Sequence, residues 1–142
     1  MILTRLLAAG LALVAAPAFA ASCTVSSSGV SFGGYDPLSR SDNRSTGSIK
    51  LTCDAAVTAT VSLTPGQGSY SVREMSNGRS PLAYNLYVDP QHTIIWGDGT
   101  GSSNSVPAQG EVVTLPLYGA IPARQNVTAG SYSDTLVVTV SY

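Results

Sequence analysis

From Gly130 to Tyr142 the chain alternates in two ways at once and then stops. Tyr132, Leu136, Val138, Val140 and Tyr142 share one parity; Ser131, Ser133, Thr135, Thr139 and Ser141 share the other. Period two, carried by β-branched and aromatic residues, predicts a strand with one buried and one wet face. A strand at a chain end must find a neighbour, because an unpaired edge presents a row of free N–H and C=O groups. Two readings are open at this point. The strand pairs within its own fold and closes the domain, or it pairs with a strand from outside and the protein is an assembly unit.

The other end of the chain bears on where such pairing takes place. Met1, Arg5, the apolar run Leu6 to Ala16 and then Ala18-Phe19-Ala20 have the basic start, apolar stretch and small-x-small site of a secretory signal peptide. Residues 1–20 are therefore expected to be a leader, and residues 21–142 a single domain. The apolar run is too short for a membrane span, which needs roughly 20 residues, and no later segment approaches that length. Removing Arg5 from the seven basic residues leaves six against eight acidic ones. No basic patch is available for nucleic acid or anionic lipid.

Cys23 and Cys53 are the two cysteines, and both fall in the exported part, where oxidation is permitted. One pair allows one intramolecular connectivity, so a Cys23–Cys53 disulfide is expected. Closing a loop of about 30 residues restricts the unfolded chain by roughly 3 to 4 kcal/mol in the chain-entropy picture. A redox motif would place the cysteines closer together, and a zinc site would need more ligands nearby.

Between the ends the chain reads as strand, turn, strand, with no helical period. Cys23/Val25 and Val30/Phe32 are two short alternations whose parity slips around Ser28-Gly29, which suggests a bulge or a strand that changes sheets. Ile49, Leu51 and Cys53 share a face, as do Val57, Ala59, Val61 and Leu63, and Pro65-Gly66 ends that segment. Leu82, Tyr84, Leu86 and Val88 make another inward face, and Ile94 and Trp96 a shorter one. Val113, Leu115 and Leu117 continue the pattern, although Pro116 lacks an N–H and predicts an edge or bulged strand there. Tyr35 to Arg44 has turn chemistry and reads as a long surface connection. Many short strands with Gly and Pro turns predict an all-β sandwich.

Catalytic readings find little support. His92 is the single histidine and follows Asp89-Pro90 in a predicted turn, and no nucleophile elbow surrounds any serine. Asp98-Gly99-Thr100-Gly101 has the composition of a phosphate loop but no strand-to-helix context and no P-loop lysine, so a solvated turn is expected. The scattered carboxylates show no EF-hand spacing. No enzyme activity, cofactor or metal is expected.

Several ordered strings then resemble a known family. Cys23-Thr24-Val25, Val30-Ser31-Phe32-Gly33-Gly34-Tyr35-Asp36-Pro37-Leu38 and Gly47-Ser48-Ile49-Lys50-Leu51-Thr52-Cys53 resemble the opening of the spore coat protein U domain. Leu82 to Asp89, Trp96-Gly97-Asp98-Gly99, Leu117 to Pro122 and Ala129 to Thr135 resemble its remainder in the same order. The resemblance covers essentially all of residues 21–142. It implies kinship with secreted coat proteins and with subunits of archaic chaperone-usher pili of the Csu type. It also implies an immunoglobulin-like β-sandwich that is incomplete, lacking its last strand. A periplasmic chaperone fills the resulting groove first, and a neighbouring subunit delivered at the usher then replaces it by strand addition. On this analogy Leu136, Val138, Val140 and Tyr142 lie on the strand bordering the groove.

One feature departs from the pilin pattern. Cleavage after Ala20 leaves only Ala21 and Ser22 ahead of Cys23, and two extended residues reach about 7 Å. The expectation is a subunit that accepts a strand but does not donate one, passing through the periplasm to the cell surface. The rival expectation, from a different class, is a stand-alone carbohydrate-binding module using Tyr35, Tyr70, Tyr87 or Trp96.

Overall fold

A computed structural model describes residues 13–17 and 19–142. The leader expected over residues 1–20 therefore lies partly outside the described residues; its described part, 13–17 and 19–20, is exposed and irregular. Eight strands follow in chain order: β1 (Cys23–Ser27), β2 (Asn43–Leu63), β3 (Arg73–Ser76), β4 (Pro81–Tyr87), β5 (Ile95–Trp96), β6 (Ser103–Asn104), β7 (Val106–Ile121) and β8 (Val138–Ser141). The described residues contain no helix.

The fold is organised on β2, which fuses the two strands expected over 48–53 and 57–63 and begins earlier, at Asn43. Its register against β7 shifts between Thr52 and Val57. This bulge absorbs the extra residues without flipping the faces, so Ile49, Leu51, Cys53, Ala59, Val61 and Leu63 are all buried. β7 takes one edge of β2, antiparallel and along most of its length. The opposite edge is shared, with β1 on Ile49 to Cys53 and β8 on Thr60 to Leu63. β1 and β8 thus run the same way along one edge, and the backbone N–H of Cys23 donates to the Tyr142 hydroxyl at 3.2 Å.

From β7 the sheet continues through β4 to β5 and β6, the last two parallel, while β3 pairs with β4. It then returns to its start. Leu63 N–H donates to Gly97 O at 3.2 Å, and the Trp96 indole N–H donates to Val61 O at 3.0 Å. Two layers result, with Met75, Leu82, Tyr84 and Leu86 packed into one core with the inner faces of β2 and β7.

Two features of this core need an explanation. Pro116 sits on β7, which lies between β2 and β4 in the sheet order, but β4 does not reach it, so β7 is locally the edge expected there. Its missing N–H is tolerated because its partner Ser48 turns both backbone groups away, toward Ser28, at 3.0 Å and 2.9 Å. β4 covers only Tyr118 to Ala120 of β7, so the other side of Pro116 lies beyond that pairing. The second feature is Arg73, fully buried, which donates to Thr64 O (3.3 and 3.0 Å), Asn85 Oδ1 (2.7 Å) and Trp96 O (2.6 Å). Burial lowers its pKa, with partial relief from the nearby Tyr84, Tyr70 and Asp134. The guanidinium sews the end of β2 to β4 and β5.

Candidate functional site

The core does not close on itself. A cavity of about 930 Å³ opens between two irregular segments, residues 29–37 on one side and 127–138 on the other. Its floor is Ile49, Leu63, Met75, Leu82, Tyr84, Leu86, Leu117 and Ile121. Native cores hold few voids larger than a water molecule, whose share of liquid volume is about 30 Å³. A space some thirty times that size, floored by core side chains, is an unfilled part of the sandwich.

Each rim has a local cause. After β1 the chain turns at Gly29 and runs past the start of β2, which locates the parity slip at Ser28-Gly29 as a departure from the ladder. Residues 29–35 make no backbone–backbone hydrogen bond; side chains of β2 hold them instead. Ser45 Oγ donates to Ser31 O at 2.6 Å, and Asn43 Nδ2 donates to Phe32 O and Gly34 O at 3.1 Å each. Phe32 packs edge-on to Tyr84 of the floor, with ring centroids 6.1 Å apart. It also lies over Gly119, where a Cβ would come within 2.7 Å of the Phe32 ring, so the absence of a side chain lets this rim seat.

The opposite rim is the C-terminal segment. Regular pairing is confined to Val138–Ser141, shorter than the strand expected from Gly130 to Tyr142. Upstream, Ser133 exchanges both backbone bonds with Ser76, and Thr64 N–H donates to Val137 O at 3.1 Å. The parity nonetheless holds, since Tyr132, Leu136, Val138 and Val140 turn inward and their neighbours outward. Leu136 and Val138 line the cavity. Val140 packs on the core beyond it, and Tyr142 is exposed at the far end beside Cys23.

Of those inward residues, Tyr132, Leu136, Val138 and Val140 are only partly buried. Apolar floor and walls, flanked by two irregular segments, form an open slot. Cys23 and Cys53 are bonded and face each other in the β1–β2 register. The bridge fastens β1, most of whose side chains are exposed, immediately before the first rim begins.

The other sequence candidates lie elsewhere. His92 stacks edge-on between Tyr87 (5.2 Å) and Tyr118 (6.2 Å), with a left-handed backbone and neither ring nitrogen hydrogen-bonded. Asp98 accepts from the Thr100 N–H and hydroxyl in an exposed turn. Among the aromatics proposed for carbohydrate, Trp96 is fully buried and Tyr70 packs over Arg73. The Tyr35 hydroxyl is occupied by Pro122 O (2.8 Å) and Gln125 N–H (2.9 Å). Tyr87 carries His92 against its ring. Among the described residues no group of three or more His, Cys, Asp or Glu side chains is placed to hold a metal ion, and no helix is long and apolar enough to cross a membrane.

Sequence reasoning missed Asp134, whose carboxylate lines the cavity. The signal was present: it is the one charged residue on the inward parity of the C-terminal segment.

Comparison with known proteins agrees with this geometry. A profile of the Spore Coat Protein U domain matches residues 9–139. Protein U of Myxococcus xanthus is 34% identical over 129 residues, covering 80% of this chain and 71% of that protein. The fold is similar to that of a pilus subunit chain in the CsuC–CsuE chaperone–tip adhesion subunit pre-assembly complex from the archaic chaperone-usher Csu pili of Acinetobacter baumannii. The TM-score is 0.61 at 20% identity, over 86% of this chain. This chain spans 40% of the length of that one. The chain belongs to the spore coat protein U domain family.

Proposed function

We propose that the protein is a secreted, non-enzymatic structural subunit of a surface assembly of the chaperone-usher pilus type, which completes its sandwich by accepting a strand from another chain. The observation that carries this reading is the 930 Å³ cavity between two irregular rims, floored by core residues. Closing it from outside buries apolar surface and pairs free backbone groups in one step. On this reading residues 1–20 are a signal peptide that takes the chain to the periplasm. A periplasmic chaperone lends a strand there, and an exchange at the usher replaces it with a strand of a neighbouring subunit. Leu136 and Val138 meet the incoming side chains directly, while Val140 and Tyr142 anchor the end of the accepting strand. Family membership and the likeness to a Csu pilus subunit support the structural role.

The test is expression of the full chain in the periplasm with and without a chaperone of the archaic pilus class. Recovery as a soluble one-to-one complex, with a much lower yield of soluble, monomeric protein when the chaperone is absent, is the expected result. A stable, soluble monomer indifferent to the chaperone would leave a self-complete coat protein instead.

A further inference from the structure

The rim formed by residues 131–137 is held in place by few backbone bonds, yet it must stand at strand-accepting distance while the slot is empty. Asp134 lies at its centre, turned inward with Tyr132 and Leu136. A carboxylate on an inward face is costly unless fully hydrogen-bonded. This one receives the Tyr84 hydroxyl at 2.6 Å, Gln67 N–H at 3.2 Å, Gln67 Nε2 at 3.3 Å and Thr135 N–H at 2.9 Å. Gln67 Nε2 also donates to Ser133 O at 3.1 Å. At Gly66, whose φ is +68°, any Cβ would overlap the Asp134 carboxylate, so the turn after β2 is shaped around it.

Three segments meet at this one group: the rim, the turn at Gly66-Gln67, and Tyr84 on the floor. We propose that the Asp134–Tyr84–Gln67 clasp is the positioning element of the slot, fixing the height and register of the rim so that an incoming strand finds both edges at pairing distance. The clasp acts through the rim and not by touching the strand's backbone. This inference rests on the acceptor reading above. It assigns the specificity of that site for an extended strand to a charged cluster that a purely apolar groove does not need. A polar clasp is also directional, where apolar packing alone would let the rim slide by one residue and invert its faces.

The test uses the full chain without its leader and a synthetic peptide of alternating valine and threonine, roughly a dozen residues long, with capture read by fluorescence anisotropy. Asp134→Ala and Tyr84→Phe are each expected to weaken capture by about tenfold, the range of a charge-assisted hydrogen bond. The double variant should lose little more than either single one, because both break the same contact. Leu51→Ala removes a core side chain that does not line the cavity, so it is expected to lose stability while binding peptide like the wild type per folded molecule. Should Asp134→Ala fail to fold, Gln67→Ala tests the same clasp from its exposed side. Wild-type capture with unchanged clasp variants, or an equal loss in Leu51→Ala, would overturn the proposal alone. A wild type that captures no strand would overturn the acceptor reading, and this inference with it.

Discussion

Arg73→Met removes the buried guanidinium while keeping an unbranched side chain to fill much of its space. The loss can be worked out acceptor by acceptor. Asn85 Oδ1 keeps a partner, since it also accepts the Leu86 N–H at 2.9 Å. Thr64 O loses both of its guanidinium donors, and Trp96 O loses its 2.6 Å bond. A buried acceptor left without a partner costs about 1 to 3 kcal/mol, so two orphaned carbonyls set a gross loss of roughly 2 to 6 kcal/mol. The variant no longer carries the desolvation of the cation, the effect that lowers the Arg73 pKa in the folded state, and the methionine packs apolar surface in return. The net expectation is a destabilisation of about 2 to 4 kcal/mol. Arg73→Lys should fall between, because an ammonium cannot fork across three acceptors. Urea unfolding of the oxidised protein, followed by the fluorescence of Trp96, measures the difference directly. A Met variant as stable as the wild type, or more so, would refute the reasoning: the carbonyls would then be finding water, and the end of β2 would not depend on this hub.

Three further outcomes are expected. Cys53→Ser should destabilise the domain by roughly 2 to 5 kcal/mol, and reduction should add the mass of two hydrogens to the wild type; free thiols that alkylate in the native protein would contradict the pairing. Gly119→Ala puts a Cβ 2.7 Å from the Phe32 ring and 3.0 Å from Val30. It should cost about 1 to 3 kcal/mol in a denaturation midpoint through overpacking of the first rim. Hydrogen bonds from Thr93 and from Thr100 hold the carboxyls of Asp89 and Asp98 below the usual carboxylate range. A lowered folded pKa gives stability that is present above the unfolded value, near 4, and is lost as pH falls through the folded one. Protection of the Thr93 and Thr100 amides, measured against their intrinsic exchange rates, should therefore fall below about pH 4, and unchanged protection down to pH 2 would contradict this.

The sequence and the structure agree where a single local rule decides. Odd-numbered residues of β2 turn inward on both sides of its bulge, so the period-two reading identified Ile49, Leu51, Ala59, Val61 and Leu63 as core although it split the strand. The inward parity of Leu136, Val138 and Val140 was legible for the same reason. The misses arise where distant partners decide. Arg73 is buried because β2, β4 and β5 end together around it. Asp134 reads as a lone charge on an otherwise apolar strand face, with no reason given for it, until Tyr84 and Gln67 are brought to it. The cavity was expected only through family resemblance, since alternation specifies which side chains face inward and does not say whether a second layer covers them.

The central claim is that the slot is completed by a strand from outside, and amide hydrogen exchange along the two rims tests it most directly. In the free protein the amides of residues 29–35 and the cleft-facing amides of 131–137 should exchange fast, while those of β2 and β7 stay protected. Adding the chaperone, or a strand peptide, should protect both rims together and leave β5 and β6 unchanged. Rims already protected in the free monomer, or a bound partner that protects some other edge, would contradict the account.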